Sequence, residues 1–362
     1  MNLKFKNKKI VGICVVLPEK IETFEENLSN YNFSEKQSLK LKRIMGYGTH
    51  RIADVSYCVS DFSKYGLEYL IKKDYIKKEE IDALVLVTQT PDYFMPPTSS
   101  IIQGLLNLKE DMISCDINQG CSGYIFGLMQ SFMLLEQEEI HKVVLINADI
   151  LSRKVSKKDR NSYPLIGDAA SITIIENGNG EESDSEIFVG IKTDGTRNDA
   201  LIIPAGGFRL KSSPETAVLE EDNYGNFRAK DHLVMKGDVI FNFVQTAIPP
   251  MIDSLINFSN IEKDDIDYYM FHQPNKFMLQ KLADKMKVSQ DKMPNNIVEN
   301  FGNSSGASIP TAITFNLGKK LLTNKYKMCL SGYGAGLTWA SMLINIGKLN
   351  FCEMIDYESE LK

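Results

Sequence analysis

The two halves of this 362-residue chain repeat the same pattern of short apolar segments. Three pairs recur in the same order, at offsets of 185, 185 and 178 residues: 80–86 with 265–271, 143–145 with 328–330, and 11–13 with 189–191. Buried strands resemble one another, so each pair alone is a weak signal, but a common order and a nearly constant offset indicate a duplication. The sequence therefore predicts two similar halves, residues 1–180 and 181–362, joined through the polar segment 177–185.

Apolar strands alternate with helical segments along the chain. The predicted strands of the first half are 10–16, 81–88, 112–117, 142–147 and 170–175, and the segments 55–72 and 101–108 between them have helical periodicity. This alternation is typical of a layered α/β architecture. Ligands of α/β proteins bind at the carboxyl ends of strands. We therefore expect equivalent strand ends of the two halves to meet at one shared cleft.

The first candidate functional residue is Cys121, which lies between two glycines. A predicted strand precedes it, and Tyr124, Ile125 and Leu128 follow at the spacing of a buried helix face. A thiol at the first turn of a helix lies near unpaired N–H groups and the positive end of the helix dipole, which favour the thiolate. Two interpretations stay open here: a nucleophile with a lowered pKa, or a small buried residue, which is the commoner role of a free cysteine.

Three polar motifs in the second half are further candidates. His272 directly follows an apolar strand, and Pro274 stops the strand ladder after it, so the ring is either structural or faces a cleft. Residues 300–310, which include Asn303, suit a turn and helix cap, where a side-chain amide can also face a ligand. Residues 330–339 hold three glycines within five positions, which lets backbone N–H groups approach a ligand closely. Their spacing fits neither a P-loop nor a dinucleotide fingerprint.

Composition excludes several function classes. The net charge of −6, without a basic stripe, argues against nucleic-acid binding. The six cysteines form no CxxC pair and no metal-like spacing with the four histidines, so we expect reduced thiols, a cytoplasmic location and no metal site. The apolar run 10–17 is short, holds Gly12 and is followed by no small-residue cleavage site, so it predicts a strand and not a signal peptide. No run reaches the roughly 20 residues of a membrane helix, so no membrane insertion is expected.

Taken together, the motifs resemble those of the β-ketoacyl-ACP synthase III family of the thiolase superfamily. The resemblance runs from Val11 to Ile346 and rests on the Cys121 stretch, residues 272–275, 302–305 and 334–339, and the segment 167–171. It implies a thiolase-like, duplicated α/β/α/β/α fold around a shared active site. It also implies a homodimer without a cofactor, whose substrates are an acyl-CoA or acyl-carrier protein and a malonyl thioester.

The resemblance implies a two-step reaction. Cys121 accepts an acyl group, and the acyl-enzyme then undergoes decarboxylative Claisen condensation with the malonyl thioester, in fatty-acid or specialised secondary-metabolite synthesis. The backbone N–H groups of Cys121 and Ala335 are implied to form an oxyanion hole, and His272 and Asn303 to stabilise the enolate oxygen. Two alternatives stay open: an acyltransferase that passes the acyl group to an alcohol or amine, and a non-catalytic subunit that binds a carrier protein.

Five further residues are implied to contact substrate: Asn275, Arg160, Met235, Gly237 and Met95. Arg160 resembles an arginine on the nucleotide side of the CoA site, although a solvated loop charge is an equal alternative. Met95 resembles the tip of a loop that reaches across the dimer to the partner's acyl pocket. A flexible methionine in place of a rigid aromatic residue predicts room for a longer or unusual acyl chain.

The chain departs from the family's housekeeping members at the substrate entrance. They hold the CoA adenine between a tryptophan and an arginine, and the counterparts here are Lys40 and Ile44, so this sandwich is absent. The segment 193–233 is longer and predicts a lid or wall near the substrate.

Carrier-protein docking positions differ as well. Basic residues dock the acidic carrier protein in the family, but Asn242 and Phe277 occupy the matching positions. Lys236 and Lys276 lie close by and either replace them or are simply solvated. We therefore expect a specialised synthase whose primer is not acetyl-CoA or is delivered on a carrier protein.

Overall fold

The structure, a computed structural model, describes residues 1–178 and 185–358. The strands in chain order are β1 (Asn2–Lys6), β2 (Lys8–Leu17), β3 (Ile21–Thr23), β4 (Thr49–Arg51), β5 (Ala83–Val87), β6 (Ile113–Ile117), β7 (Lys142–Asp149), β8 (Ala169–Asn177), β9 (Glu186–Thr193), β10 (Leu201–Ile202), β11 (Glu220–Glu221), β12 (Phe227–Arg228), β13 (Val234–Met235), β14 (Tyr268–Phe271), β15 (Lys325–Gly334), β16 (Thr338–Gly347) and β17 (Phe351–Asp356). The α-helices are α1 (Glu35–Met45), α2 (Val59–Lys72), α3 (Thr98–Leu106), α4 (Gly123–Leu134), α5 (Gly237–Ser259), α6 (Lys276–Met286), α7 (Ile297–Phe301) and α8 (Ser308–Leu321).

Two large sheets repeat one strand order. The first is β17-β2-β8-β7-β5-β6 and the second is β1-β9-β16-β15-β14, so β2-β8-β7-β5 corresponds to β9-β16-β15-β14. The register is repeated too. Ala83 pairs with Val143 in the first sheet, and Tyr268 pairs with Met328 in the second, each shifted by 185 residues. The duplication inferred from the apolar segments is confirmed.

Helices cover both sheets in five layers. The apolar helices α4 and α8 contact strands of both sheets and form the central layer, where the main core packs. Helices α2 and α3 cover the outer face of the first sheet, and α5 covers the outer face of the second, with α6 packed beside it. The predicted α/β/α/β/α architecture is confirmed.

The terminal strands are exchanged between the halves. The amino-terminal strand β1 pairs with β9 of the second sheet, whereas the carboxy-terminal strand β17 pairs with β2 of the first. Gly12 makes room for this pairing, since a Cβ there would lie 2.3 Å from the ring of Phe351. The boundary predicted at residue 180 thus falls between β8 and β9, but each terminal strand belongs to the sheet of the opposite half. Residues 179–184 of the predicted linker lie outside the described residues.

Helix boundaries follow local capping. The segment 24–47 divides into a 3₁₀ turn over Glu25–Asn30 and helix α1. Ser34 and Gln37 form a capping box that begins α1, and Gly46, with φ of 73°, ends it. The helix expected from residue 55 begins at Val59.

Within residues 1–178 and 185–358, one helix, α5, is long and apolar enough to cross a membrane by length and composition. It carries Asp238 and two consecutive prolines, and its buried side chains, including Phe243, Val244 and Ile252, pack against the second sheet. This is the packing of a core helix, in which a continuous apolar stripe faces a sheet.

Candidate active site

The duplicated topology brings the three predicted catalytic residues to one cavity. Cys121 lies in the turn between β6 and α4, two residues before the helix. His272 directly follows β14, and its backbone N–H donates to the carbonyl of Ser331 at 2.8 Å. Asn303 lies in the turn between α7 and α8. All three line a single cavity of about 600 Å³. Cys121 and Asn303 lie in the turns before the two central helices α4 and α8, whereas His272 ends β14, the counterpart of β5, so only His272 lies at a strand end that the repeat duplicates.

The end of β15 packs directly on the nucleophile turn. A Cβ built on Gly334 would lie 2.9 Å from Sγ and 2.8 Å from Cβ of Cys121, and one built on Gly332 would lie 2.4 Å from the Cys121 carbonyl oxygen. Glycine is required at both positions because the strand and the turn approach at backbone distance. The glycines noticed in the sequence therefore give room to the thiol, and Ala335 of the same loop lines the cavity.

Substituting Gly334→Ala is expected to displace the Cys121 thiol and slow its acylation by about tenfold or more, because small misplacements of a reacting group are costly. Initial rates of acyl-enzyme formation by intact mass measure this. Gly104→Ala is the matched control, since a Cβ there meets nothing within 4 Å. Equal acylation rates in the two variants would contradict the close packing.

The expectation that Cys121 has a lowered pKa is wrong for the unliganded protein. Burial raises the pKa of the Cys121 thiol to about 12, and the nearby carboxylate of Asp149 adds to the shift. The thiol precedes α4 and is partly buried at the cavity, and the lost hydration outweighs the helix dipole. The sequence places the thiol at a helix start but does not reveal how much of its hydration the surrounding fold removes.

Alkylation of Cys121 by iodoacetamide is therefore expected to rise about tenfold per pH unit from pH 7 to 10, since the thiolate fraction grows tenfold per unit below the pKa. Peptide mapping of the Cys121 adduct against pH checks this rise. A plateau reached below pH 9 would contradict the strongly raised pKa.

The imidazole of His272 is held neutral and in a defined orientation. Burial lowers the pKa of His272 to about 3. Its Nδ1 lies 2.7 Å from the Ser308 hydroxyl, which accepts a hydrogen bond from the N–H of Gln273 at 3.4 Å. The second partner of the ring is the backbone of Ser305, whose hydrogen bond opposes the lowering of the pKa of His272. We assign the Ser308 hydroxyl as the donor to Nδ1. This arrangement favours the tautomer in which Nε2 carries the proton and serves as a donor.

The amide of Asn303 is oriented in a similar way. Its Oδ1 accepts the N–H of Ser305 at 2.9 Å, and its backbone N–H donates to the carbonyl of Leu165 at 2.7 Å. With the oxygen engaged, the NH₂ group is left as the donor toward the cavity that Asn303 lines. His272 and Asn303 thus both present N–H groups at one site.

The proposed substrate-contacting residues divide into two groups. Met235, Gly237 and Asn275 line the cavity. Asn275 also caps α6, where its Oδ1 accepts the N–H of Met278 at 2.8 Å. Arg160 and Met95 are not among the described residues that line the cavity.

Arg160 and Met95 are held elsewhere. The guanidinium carbon of Arg160 lies 3.2 Å from the centroid of the Phe33 ring, and the backbone N–H of Arg160 donates to Oδ1 of Asn226 at 3.2 Å. Met95 is 84% exposed. This exposure, outside the cavity lining, is compatible with the cross-dimer contact inferred from the sequence.

The segment 193–233, expected to form a lid or wall near the substrate, contributes one wall of the cavity. Its residues Leu201, Ile202, Ile203 and Leu233 line the cavity. Two short strand pairs, β10 with β13 and β11 with β12, hold the segment in place. The cavity is accordingly apolar over much of its surface.

Sequence reasoning missed Ser308, Asp149 and Gln89. Ser308 lies in the asparagine- and serine-rich motif, but its partner His272 is 36 residues away. Asp149 is a buried carboxylate whose pKa is raised by burial to about 6, and it accepts the N–H of the cavity residue Gln89 at 2.7 Å. The sequence signal that could have identified Asp149 is its position as a carboxylate at the end of the apolar strand β7.

Two family models match this chain. The model described as 3-oxoacyl-(acyl-carrier-protein) synthase III matches residues 115–195, and that of its C-terminal domain matches residues 256–346. A Campylobacter jejuni protein named as a 3-oxoacyl-(acyl-carrier-protein) synthase 3 is 34% identical over 365 residues, covering 99% of this chain and all of the relative. A Streptococcus gordonii β-ketoacyl-(acyl-carrier-protein) synthase III is 33% identical over 76% of this chain and 81% of its own length.

Solved structures agree with the sequence relatives. A 3-oxoacyl-(acyl-carrier-protein) synthase from Burkholderia xenovorans superposes with a TM-score of 0.90 at 31% identity, covering 99% of each chain. The priming β-ketosynthase of the R1128 polyketide pathway shares the fold, with a TM-score of 0.78 at 20% identity over 95% of this chain and 97% of its own. With its duplicated fold, its cavity and full-length relatives, the chain belongs to the β-ketoacyl-ACP synthase III family of condensing acyltransferases.

Proposed function

We propose that Cys121 carries the acyl group in this condensing enzyme. Its sulfur forms a bond to the carbonyl carbon of an acyl thioester, the bond from that carbon to the donor sulfur breaks, and the donor leaves as a thiol that takes up the cysteine proton. Backbone N–H groups of Cys121 and Ala335 stabilise the tetrahedral oxyanion. The position of Gly334 against Sγ supports this assignment, because it brings the Ala335 loop to the reacting atom.

In the second step we propose that His272 and Asn303 bind the malonyl thioester as hydrogen-bond donors. Loss of CO₂ leaves an enolate whose oxygen accepts hydrogen bonds from Nε2 of His272 and the amide of Asn303. The enolate carbon then attacks the acyl carbonyl, and the Cys121 sulfur leaves to give a β-ketoacyl thioester. The observation that carries this proposal is that Nδ1 of His272 is already paired with the Ser308 hydroxyl and Oδ1 of Asn303 with the Ser305 N–H. Nε2 of His272 and the NH₂ group of Asn303 are therefore left as two donors facing one cavity. No metal or cofactor takes part in these steps.

The test is release of CO₂ from malonyl thioester by acyl-Cys121, followed together with the β-ketoacyl product. Stoichiometric CO₂ and product are the expected result. Transfer of the acyl group to an alcohol or amine without CO₂ would instead identify an acyltransferase. A Cys121 that accepts no acyl group from any thioester would identify a non-catalytic, carrier-binding subunit.

We further propose a cytoplasmic homodimer built on the edge strand β6. Ile113 on this strand is 40% exposed, and the nearby loop exposes Phe94 and Met95, of which Phe94 contacts Phe208. An exposed strand edge with apolar neighbours is suited to pairing with a second copy, which would bring Met95 to the partner's acyl pocket. The six free cysteines suit a reducing compartment. Sedimentation of the wild-type chain against Ile113→Lys tests the dimer, and an unchanged mass would contradict it.

A further inference from the structure

A buried carboxylate beside the nucleophile turn has no part in the two steps above. Asp149 is 2% exposed at the end of β7, and burial raises its pKa to about 6. Its Oδ1 accepts the backbone N–H of Gln89 at 2.7 Å and the hydroxyls of Thr88 and Thr90, each at 3.3 Å. The side chain of Gln89 in turn reaches the nucleophile turn, since a Cβ built on Gly120 would clash with its Oε1. The carboxylate is thus fixed close to the nucleophile.

A second turn lies between β7 and the nucleophile turn. It is the 3₁₀ turn Ser305–Ala307. A Cβ built on Gly306 would lie 3.1 Å from Nδ2 of Asn147 on β7 and 3.2 Å from the carbonyl oxygen of Gly120. Asn147 precedes Asp149 by two residues, so both side chains lie on the same face of the strand. The 3₁₀ turn is therefore packed between the strand that carries the carboxylate and the nucleophile turn.

The hydroxyl of Ser305 in this turn is buried and unpaired. Ser305 is 1% exposed and lines the cavity, and no described residue forms a hydrogen bond with its Oγ. Burial raises the pKa of both Cys121 and Asp149, and the nearby Ser305 hydroxyl opposes the rise in each. A hydroxyl both donates and accepts, so this one can take a proton from one neighbour while it gives its own to the other. The chain thus places an uncommitted hydroxyl beside both a thiol and a carboxylate.

The other ionisable groups around the thiol are poor proton acceptors. Burial lowers the pKa of His272 to about 3, so its imidazole is a weak base. Burial also raises the pKa of the Tyr333 phenol, which therefore stays protonated. No Asp, Glu, Lys or Arg is among the described residues that line the cavity. Efficient general bases have a pKa near the working pH, and of the described groups near the thiol Asp149 comes closest to it.

We propose, building on the proposed function, that Ser305 and Asp149 form a proton relay for Cys121, with the carboxylate as the acceptor of the thiol proton during acylation. The S–H bond of Cys121 breaks as its sulfur bonds to the acyl carbon. The proton passes to Oγ of Ser305, and the Ser305 hydroxyl proton passes to Asp149. When the bond to the donor sulfur breaks, the leaving sulfur takes a proton back along the same path, which restores the hydroxyl and the carboxylate.

The experiment follows formation of acyl-Cys121 by rapid quench and intact mass from pH 5 to 9, on the full-length chain. The probe is the fastest donor among acetyl-, butyryl-, hexanoyl- and octanoyl-pantetheine, since CoA and carrier proteins share this arm. The wild-type rate should rise up to about pH 7 and then level off, because Asp149, with a pKa of about 6, is ionised above that pH. Without the relay the rate would follow the thiolate fraction and keep rising about tenfold per pH unit.

Asp149→Asn removes the acceptor, while the amide oxygen can still accept the N–H of Gln89. Acylation at pH 7 should slow by about a hundredfold, the usual scale of general-base catalysis, and the rate should climb about tenfold per pH unit. Alkylation by iodoacetamide at pH 8 should instead become about threefold faster or more, because after burial the charge of Asp149 adds to the raised pKa of Cys121. A melting curve like that of the wild type is the check on folding. A residue with only a structural role would not separate the two reactions in this way.

Ser305→Gly tests the relay without altering the carboxylate, so it also serves if Asp149→Asn does not fold. Glycine suits the φ of 53° at this position and keeps the N–H that binds Oδ1 of Asn303. Acylation at pH 7 should slow by about tenfold or more, and the rate should climb with pH as in Asp149→Asn. Ser304→Gly is the matched control, because it removes the neighbouring buried hydroxyl, which does not line the cavity, and it should keep the wild-type profile.

A wild-type rate that keeps climbing to pH 9, or level profiles in both Asp149→Asn and Ser305→Gly, would overturn the relay and leave the proposed function intact. Acylation of the wild-type chain by none of the four thioesters would instead refute the proposed function, and the relay with it.

Discussion

Replacing Cys121 with alanine is expected to abolish β-ketoacyl product formation, with a loss of roughly 1,000-fold or more, because the acyl group then has no covalent carrier. Decarboxylation of the malonyl thioester should persist, since Asn303 and His272 keep the hydrogen bonds that orient their donors. CO₂ release should thus become uncoupled from product. Parallel assays of CO₂ and β-ketoacyl thioester measure this.

Cys58→Ser is the matched control for Cys121→Ala. Cys58 is also a free, partly buried thiol, but it precedes α2 and does not line the cavity. The control should retain wild-type rates of both steps. Product formation that survives Cys121→Ala would require another nucleophile and would remove Cys121 from the mechanism.

The second large effect is expected from Asn303→Asp. Aspartate keeps the oxygen that accepts the N–H of Ser305, but it removes the amide donor and places a negative charge beside the developing enolate. Loss of one oxyanion donor costs about 3 kcal/mol of transition-state stabilisation, so condensation should slow by a few hundredfold or more. Acylation of Cys121, which uses other donors, should change far less. Single-turnover acylation and steady-state condensation separate the two steps.

Asn300→Asp provides the control for that substitution. Asn300 lies in the same motif but is exposed, and its amide donates to the carbonyl of Asn296 outside the cavity. Both steps should stay near the wild-type rate. A parallel loss of acylation in Asn303→Asp would show that the carboxylate disturbs the whole site rather than the enolate alone.

The raised pKa of Cys121 changes which experiment separates the functional hypotheses. Slow alkylation by iodoacetamide at neutral pH would at first suggest an inert, non-catalytic subunit. With a pKa of about 12, a competent but buried nucleophile also alkylates slowly in the unliganded protein. Acylation by a thioester is the better discriminator, because the substrate brings its carbonyl carbon to the thiol and to the two backbone N–H groups proposed as the oxyanion hole.

The fold was predictable from the sequence because duplication leaves a periodic trace. A constant offset between apolar segments such as 80–86 and 265–271 is a property of the sequence itself, and the sheets reproduce it in their register. The exchange of β1 and β17 left no such trace. Each is a short strand whose own residues do not specify which of two similar sheet edges it joins.

The candidate site was predictable in its residue types but not in its electrostatics. Cys121, His272 and Asn303 lie in motifs with recognisable turn chemistry and meet in one cavity. The pKa values of Cys121 and His272 depend on burial by the other half, which is tertiary information. The position of Arg160 under Phe33 was missed for the same reason, because 127 residues separate the two in the chain.

The exchanged terminal strands tie the stability of each half to the other. A fragment ending near residue 178 would lack β17, leaving the buried apolar strand β2 with an open edge, and the complementary fragment would lack β1. Neither half is then a complete folding unit, so the described chain should unfold in one cooperative transition. The cavity lies between the halves and shares in that cooperativity. Acyl groups must therefore enter through its mouth, and not by one half detaching from the other.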